Sequence, residues 1–292
     1  MVDSDNLLYI AELLDDKSEV VARAVDNYLI SQGEGVIDRL TALYHDEEDS
    51  SKKELILSKM QQINRYFRLK QLREYVSQSR DGSASLLEGA FLISSLLSPG
   101  ITRSQFYDTF LPIIGEVMAE TSEMKTGVEN VKILNHIFYK RYNFRATDPF
   151  SLNDTDLLFV NVLEKKCGNP VAISIFYIII AQACGIPVYP MCFTGGFITV
   201  YAENDKPLFY LNLFHEGEIF LENNVSDYIR LQNLPIDVKN MEIKKDATIL
   251  LIYTELLDGL YSMAGNREKQ EITEGALQCF GDDRFMSIEE DE

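Results

Sequence analysis

A long, almost wholly apolar segment extends from Val171 to Gly185 and contrasts with the mixed pattern of the rest of the chain. Asn169 is a suitable N-cap, Pro170 suits the first helical position, and Gly185 suits the C-terminal end. The segment is shorter than the ~20 residues that a membrane-spanning helix needs. A helix that is apolar on all sides is a buried one. The pattern therefore predicts a helix in the core of the protein.

Short runs of β-branched and aromatic residues follow this helix, as is typical of strands. They cover residues 188–192, 197–201, 208–213 and 219–221, with a turn signal at 214–217 between the last two. The sequence therefore predicts a buried helix that packs on a small sheet.

Amphipathic helical periodicity dominates both ends of the chain. It predicts three short helices within residues 6–44 and further helices at about 53–76, 86–97, 105–120, 126–141, 157–166, 247–263 and 269–280. Pro112 should kink or interrupt the helix that contains it. Helices, then strands, then helices indicate an α+β protein. We predict a helical-repeat-like region at 1–80, a core domain at 81–240, and a helical hairpin with an acidic tail at 241–292.

The composition excludes several classes of partner. A net charge of −19 and an isoelectric point near 4.6 argue against nucleic acid and against anionic membrane surfaces. The four cysteines form no CxxC pair, and the three histidines have no acidic partners at ligand spacing, so we expect no metal and no cofactor. The N-terminus shows no secretory signal, which together with the cysteine pattern predicts a cytoplasmic protein.

Several motifs occur in a fixed order along the chain. They are Leu14-Asp-Asp16, Leu87-Glu-Gly-Ala90, Leu134-Asn-His-Ile-Phe138, Gly168-Asn-Pro-Val-Ala-Ile173, and Phe209-Tyr-Leu-Asn-Leu-Phe214 followed by Gly217. In this order they resemble the transglutaminase-like superfamily, in its bacterial branch with a helical N-terminal region and a tetratricopeptide-like tail. The resemblance implies a papain- or transglutaminase-like core in a mostly helical chain.

Enzymes of this superfamily use a Cys-His-Asp triad, and the resemblance places its three positions in this chain. The nucleophile position falls at about Pro170, the base position at Gly196, and the orienting position at Asn212. Pro170 and Gly196 offer neither an attacking atom nor a proton acceptor. The resemblance therefore implies a non-catalytic protein whose partner is a protein or peptide. Residues expected to contribute to binding are Asn169, Gly195, Gly196, Phe197, Tyr210 and Asn212.

Two alternatives remain open at this point. Cys167 lies three residues before Pro170, and with His215 as an unconventional base it would make a cysteine-dependent hydrolase or acyl transferase. The other reading of this pair is a loop thiol and a solvated surface histidine. A purely structural scaffold, which holds its partner through the helical repeats, is the second alternative.

Overall fold

The computed structural model describes residues 12–14, 16, 18–80, 82, 84–148, 152–193, 196–222, 224–225, 227, 241–245 and 247–281. The chain divides into two compact units, Met1–Gln71 and Leu72–Glu292. Their boundary falls within one long helix, and the predicted limits at 80/81 and 240/241 stay predictions. The predicted helix near residues 7–14 lies mostly outside the described residues.

The first unit contains amphipathic helices, as the periodicity predicted. Helices α1 (Glu19–Ser31) and α2 (Val36–Asp46) are followed by α3 (Ser50–Ser79), most of which belongs to this unit. One face of each contributes to a common apolar cluster, which spares those side chains contact with water. The buried members are Val25, Leu29, Val36, Leu40, Ile63 and Phe67.

The second unit supplies the remaining helices and all the strands of the described chain. Its helices are α4 (Leu86–Leu97), α5 (Arg103–Glu120), α6 (Gly127–Asn135) with a π-helical continuation His136–Arg141, α7 (Asp154–Leu157), α8 (Phe159–Lys165), α9 (Pro170–Ala183), α10 (Thr248–Met263) and α11 (Arg267–Phe280).

Two details of the predicted helices are corrected by the structure. Helix α5 continues through Pro112, so the predicted interruption does not occur; a capping box at Thr102 and four buried apolar side chains stabilise the helix on both sides of the proline. The single helix predicted at 157–166 is divided into α7 and α8, because Leu158 adopts an extended backbone with ψ 122°.

The main sheet contains the strands β3 (Val188–Phe193), β4 (Gly196–Glu203), β5 (Lys206–Asn212), β6 (Glu218–Phe220) and β7 (Glu242–Ile243). These five strands are antiparallel and lie in the order β6-β5-β4-β3-β7. The four predicted strands are confirmed, whereas β7 was not predicted. A parallel pair of two-residue strands, β1 (Arg145–Ala146) and β2 (Cys167–Gly168), was not predicted either. The observed architecture is the expected α+β class.

Helix α9 is buried along its length, as its composition predicted. Phe176 is inaccessible to solvent, and its ring lies 5.4 Å from that of Phe110, 6.2 Å from that of Phe144 and 5.0 Å from that of Phe159. Aromatic rings at such distances in edge-on or tilted arrangements attract one another beyond the effect of burial. This cluster connects α9 to α5, to the segment before β1 and to α8.

The sheet has two buried faces. One face forms a separate apolar cluster whose buried members are Met191, Val200, Ala202, Tyr210, Val225 and Met241. Because side chains alternate along a strand, Tyr201 and Phe209 lie on the other face, where their rings stack at 4.6 Å. Tyr201 also approaches Gly127 at the start of α6. That second face is therefore the one covered by the helical layer.

The C-terminal helices α10 and α11 belong to the same unit as the sheet. Tyr253 stacks on Phe159 with 3.9 Å between ring centroids and donates a hydrogen bond of 2.8 Å to the Leu157 carbonyl. The Tyr261 hydroxyl donates to an Asp154 carboxylate oxygen at 2.8 Å, and Lys269 contacts the same carboxylate. None of the helices in the described ranges is both long and apolar enough to cross a bilayer.

Candidate functional site

The start of α9 is fixed by its own capping residues. The Asn169 side chain accepts a hydrogen bond of 2.9 Å from the Val171 N–H, and the Asn169 N–H donates to the Asp156 carbonyl at 2.6 Å. Asn169 is only 2% exposed, and Pro170 is buried at the first helical position, as predicted. Both residues therefore act in the structure as parts of the helix start.

The pair of strands β1 and β2 lies directly before this helix. The Arg145 N–H donates to the Lys166 carbonyl at 2.9 Å, and the Thr147 N–H donates to the Gly168 carbonyl at 2.8 Å. Cys167 is half-buried and stands opposite Arg145 in the ladder. The Thr147 hydroxyl oxygen is buried and has no hydrogen-bond partner among the described residues, which is rare in native proteins.

Lys166 connects α8 to β2 in an unusual conformation. Its backbone is left-handed, with φ 56°, and its ammonium lies 4.9 Å from the centre of the Phe144 ring. Partial burial lowers the pKa of Lys166, because a charged ammonium loses hydration there. The ring face compensates part of that loss through a cation–π contact.

Asn212 ends β5 and begins a short 3₁₀ turn, Leu213–His215. Its side-chain oxygen accepts a hydrogen bond of 3.2 Å from the Phe214 N–H, so the amide stabilises the turn. His215 is exposed, and Phe214 is 54% exposed. In the described part of the chain, no hydrogen bond joins Cys167 to His215.

Gly196 begins β4 opposite Phe193. A Cβ atom at this position would lie 3.2 Å from the tip of the Phe193 ring. The ring therefore occupies the space into which a side chain at residue 196 would extend, and a larger residue would require Phe193 to move.

The predicted binding residues do not converge on one open surface. By the alternation of the strands, Gly196, Tyr210 and Asn212 share one face of the sheet, whereas Phe197 lies on the other. Tyr210 is 2% exposed and its ring stacks on Phe220 at 5.9 Å, so it is a core residue in the described structure. Gly195 lies outside the described residues.

A partly buried polar network, which sequence reasoning did not identify, holds the turn after Asn212. The Asn135 amide donates a hydrogen bond of 2.8 Å to the Gly217 carbonyl and accepts one of 2.7 Å from the Tyr177 hydroxyl. The Tyr139 hydroxyl donates to the Leu213 carbonyl at 3.1 Å. The signal was present in the sequence, since Asn135 and Gly217 belong to two of the motifs that carry the family resemblance.

Burial also affects the acidity of the tyrosines in this unit. It raises the pKa of Tyr107 and of Tyr201 to about 12, with Glu88 and Glu203 contributing through hydrogen bonds, and it raises the pKa of Tyr139 and Tyr177 as well. A pKa higher in the folded than in the unfolded state stabilises the fold below the unfolded value of ~10. This stabilisation is lost as the pH rises toward the folded value.

We therefore expect alkaline unfolding between about pH 10 and pH 12. Circular dichroism and the absorbance of tyrosinate, recorded together, should change in one transition. A tyrosinate signal that reaches its full value while the helical signal is still intact would contradict this expectation.

One match to a protein-family model identifies the domain that contains this site. Residues 108–252 match a family model described as transglutaminase-like superfamily. The chain carries a transglutaminase-like domain. The matched residues include Asn135, the β1–β2 ladder, helix α9, all five strands of the sheet and the start of α10.

Bacterial relatives extend the similarity beyond this transglutaminase-like domain. Protein SirB1 of Salmonella typhimurium is 23% identical over 215 residues, which cover 70% of this chain and 77% of that protein. A UPF0162 protein of Buchnera aphidicola is 27% identical over 180 residues, covering 53% of this chain and 66% of the relative. A UPF0162 protein of Xylella fastidiosa is 21% identical over 212 residues, covering 71% and 73%. No solved structure gives a significant match.

Proposed function

We propose that this protein is a non-catalytic transglutaminase-like protein that binds a protein or peptide partner. The observation that carries the proposal is the nature of the three triad positions. Pro170 is a buried helix-start residue, Gly196 has no side chain, and the Asn212 amide is engaged in its own turn. Acyl transfer through a triad needs a nucleophile and a base within hydrogen-bond reach of each other.

The frame around these positions supports the same proposal. Asn169 still caps α9, and Asn135 still holds the turn that follows the third triad position. These hydrogen bonds hold the backbone around the three positions in one conformation. A backbone that is already ordered loses less conformational entropy when a partner binds, which favours binding.

A cysteine-dependent enzyme that uses Cys167 with His215 is the second candidate function. Its support is that Cys167 is half-buried at the start of the core helix and that β1, its partner strand, packs against the turn that carries His215. A scaffold whose helical N-terminal region holds the partner is the third candidate. A pull-down that compares the full chain with residues 72–292 separates this third candidate from the first. The scaffold needs the N-terminal region to retain the partner, whereas the first candidate does not.

The reactivity of Cys167 tests the proposal directly. We expect iodoacetamide to alkylate Cys167 within about tenfold of the rate of free glutathione, since no base activates the thiol. The His215→Ala variant should react at the same rate as the wild-type protein. Site-resolved mass spectrometry measures both rates.

Activation of Cys167 by His215 would give the opposite result. Labelling of Cys167 much faster than that of glutathione, and lost in His215→Ala, would replace the proposal with the cysteine-dependent enzyme. The Lys206→Gln variant, changed at an exposed strand position, serves as the control for general effects of substitution.

A further inference from the structure

The β1–β2 ladder carries positive charge in a strongly acidic chain. Arg145 lies on β1, while Lys165 and Lys166 lead directly into β2. We refer to these three residues as the cationic ladder. In the described part of the chain none of the three forms an ion pair. Nearby cations do: Lys140 pairs with Glu216, and Arg141 pairs with both Glu116 and Glu120.

Helix ends explain only part of this arrangement. Lys165 lies in the last turn of α8, where a cation interacts favourably with the helix dipole. Arg145 is on a strand, however, and Lys166 places its ammonium over Phe144. The Arg145 N–H donates to the Lys166 carbonyl, which holds the two backbone segments side by side.

An exposed aromatic side chain lies on the adjoining turn. β1 packs against the turn Leu213–His215, in which Phe214 is 54% exposed. Hydrogen bonds fix this turn: Tyr139 donates to the Leu213 carbonyl, and Asn135, itself bonded by Tyr177, donates to the Gly217 carbonyl. A large aromatic side chain on a pre-organised backbone is a common anchor in protein interfaces.

We propose that the cationic ladder and Phe214 bind an acidic segment of a partner protein, with an apolar side chain of that segment against Phe214. This inference rests on the proposed function and specifies its partner. Charge complementarity is the argument for this occupant: cations that form no ion pair with any described residue, in a chain of net charge −19, attract anions locally and orient an acidic partner.

Cys167 reports the local potential without knowledge of the natural partner, because it stands opposite Arg145 in the ladder. Its alkylation by anionic iodoacetate is compared with that by neutral iodoacetamide. The ratio of the two rates cancels the fraction of thiolate and leaves the attraction for the anion. Cys184, just after the C-terminal end of α9, is the internal reference. The 14-residue helix places it about 20 Å from the helix start, at a rise of about 1.5 Å per residue.

The wild-type ratio at Cys167 should exceed that at Cys184. It should fall about twofold to fivefold at low ionic strength in the double variant Arg145→Gln/Lys165→Gln, and the difference should shrink as salt is added. The matched control Lys206→Gln/Arg267→Gln removes the same charge elsewhere on the second unit and should leave the ratio unchanged. A ratio that is equal at both cysteines, or that falls equally in both double variants, would overturn the proposal.

Binding itself is tested with a fluorescein-labelled oligoglutamate that has one central leucine. We expect it to protect Cys167 from iodoacetamide, to bind about fivefold more weakly to the ladder variant, and to bind more weakly to Phe214→Ser. Oligolysine should not protect. Absence of protection by oligoglutamate, or equal protection by both peptides, would refute the acidic partner. The proposed function fails separately, through dependence of the iodoacetamide rate on His215.

Discussion

Replacement of Gly217 with alanine should destabilise the protein by about 3 kcal/mol. The backbone has φ +75°, which costs a residue with a side chain about 1 kcal/mol. The new Cβ atom would also lie 2.1 Å from the Asn135 side-chain oxygen. The amide would have to leave the Gly217 carbonyl and the Tyr177 hydroxyl, and unpaired buried groups cost about 1–3 kcal/mol. Chemical denaturation measures the change in the free energy of unfolding.

Gly265→Ala provides the matched control for this prediction. Gly265 has φ +65°, but no atom lies within 4 Å of the position of a Cβ atom there. It should therefore show the backbone cost of about 1 kcal/mol without the clash. Equal losses in the two variants would mean that the contact with Asn135 contributes nothing. In an Asn135→Ala background, the cost of Gly217→Ala should fall toward that of the control.

Truncation of Phe176 to alanine should lower the free energy of unfolding by about 3–5 kcal/mol. The side chain is completely buried, and rings from three other segments contact it, so the cavity left behind could not close by movement of one neighbour. For a unit of this size the melting temperature should fall by roughly 10 °C.

Phe214→Ala removes the same side chain from an exposed position and should change stability by less than about 0.5 kcal/mol. Calorimetry of both variants makes the comparison. A small effect of Phe176→Ala, close to that of Phe214→Ala, would contradict the description of α9 as the centre of the core.

Elements with strong local signals could be predicted from the sequence. The bounds of α4 at Leu86–Leu97 agree with the prediction, because Pro99 cannot continue a helix. Asn169 and Pro170 likewise fixed the start of α9. The two-residue strands β1, β2 and β7 could not be predicted, since two residues show no periodicity. Their pairing depends on partners distant in the chain.

The site was less predictable than the fold for a related reason. Asn135 and Gly217 are separated by 82 residues, and their hydrogen bond exists only once the fold is complete. Tyr210 is of a residue type that often lines binding clefts, but here it is buried against Phe220. Aromatic residues serve a core and a cleft equally well, and only packing distinguishes the two uses.

The stacking of Tyr253 on Phe159 determines where this protein can be cut for experiments. The family match ends at residue 252, inside α10, yet Tyr253 is 1% exposed and covers one face of the Phe159 ring. A fragment that ended with the matched residues would expose that ring, leave the Leu157 carbonyl without its donor and separate Asp154 from Tyr261. Expression fragments should therefore retain both terminal helices through Phe280, because the hairpin closes the core.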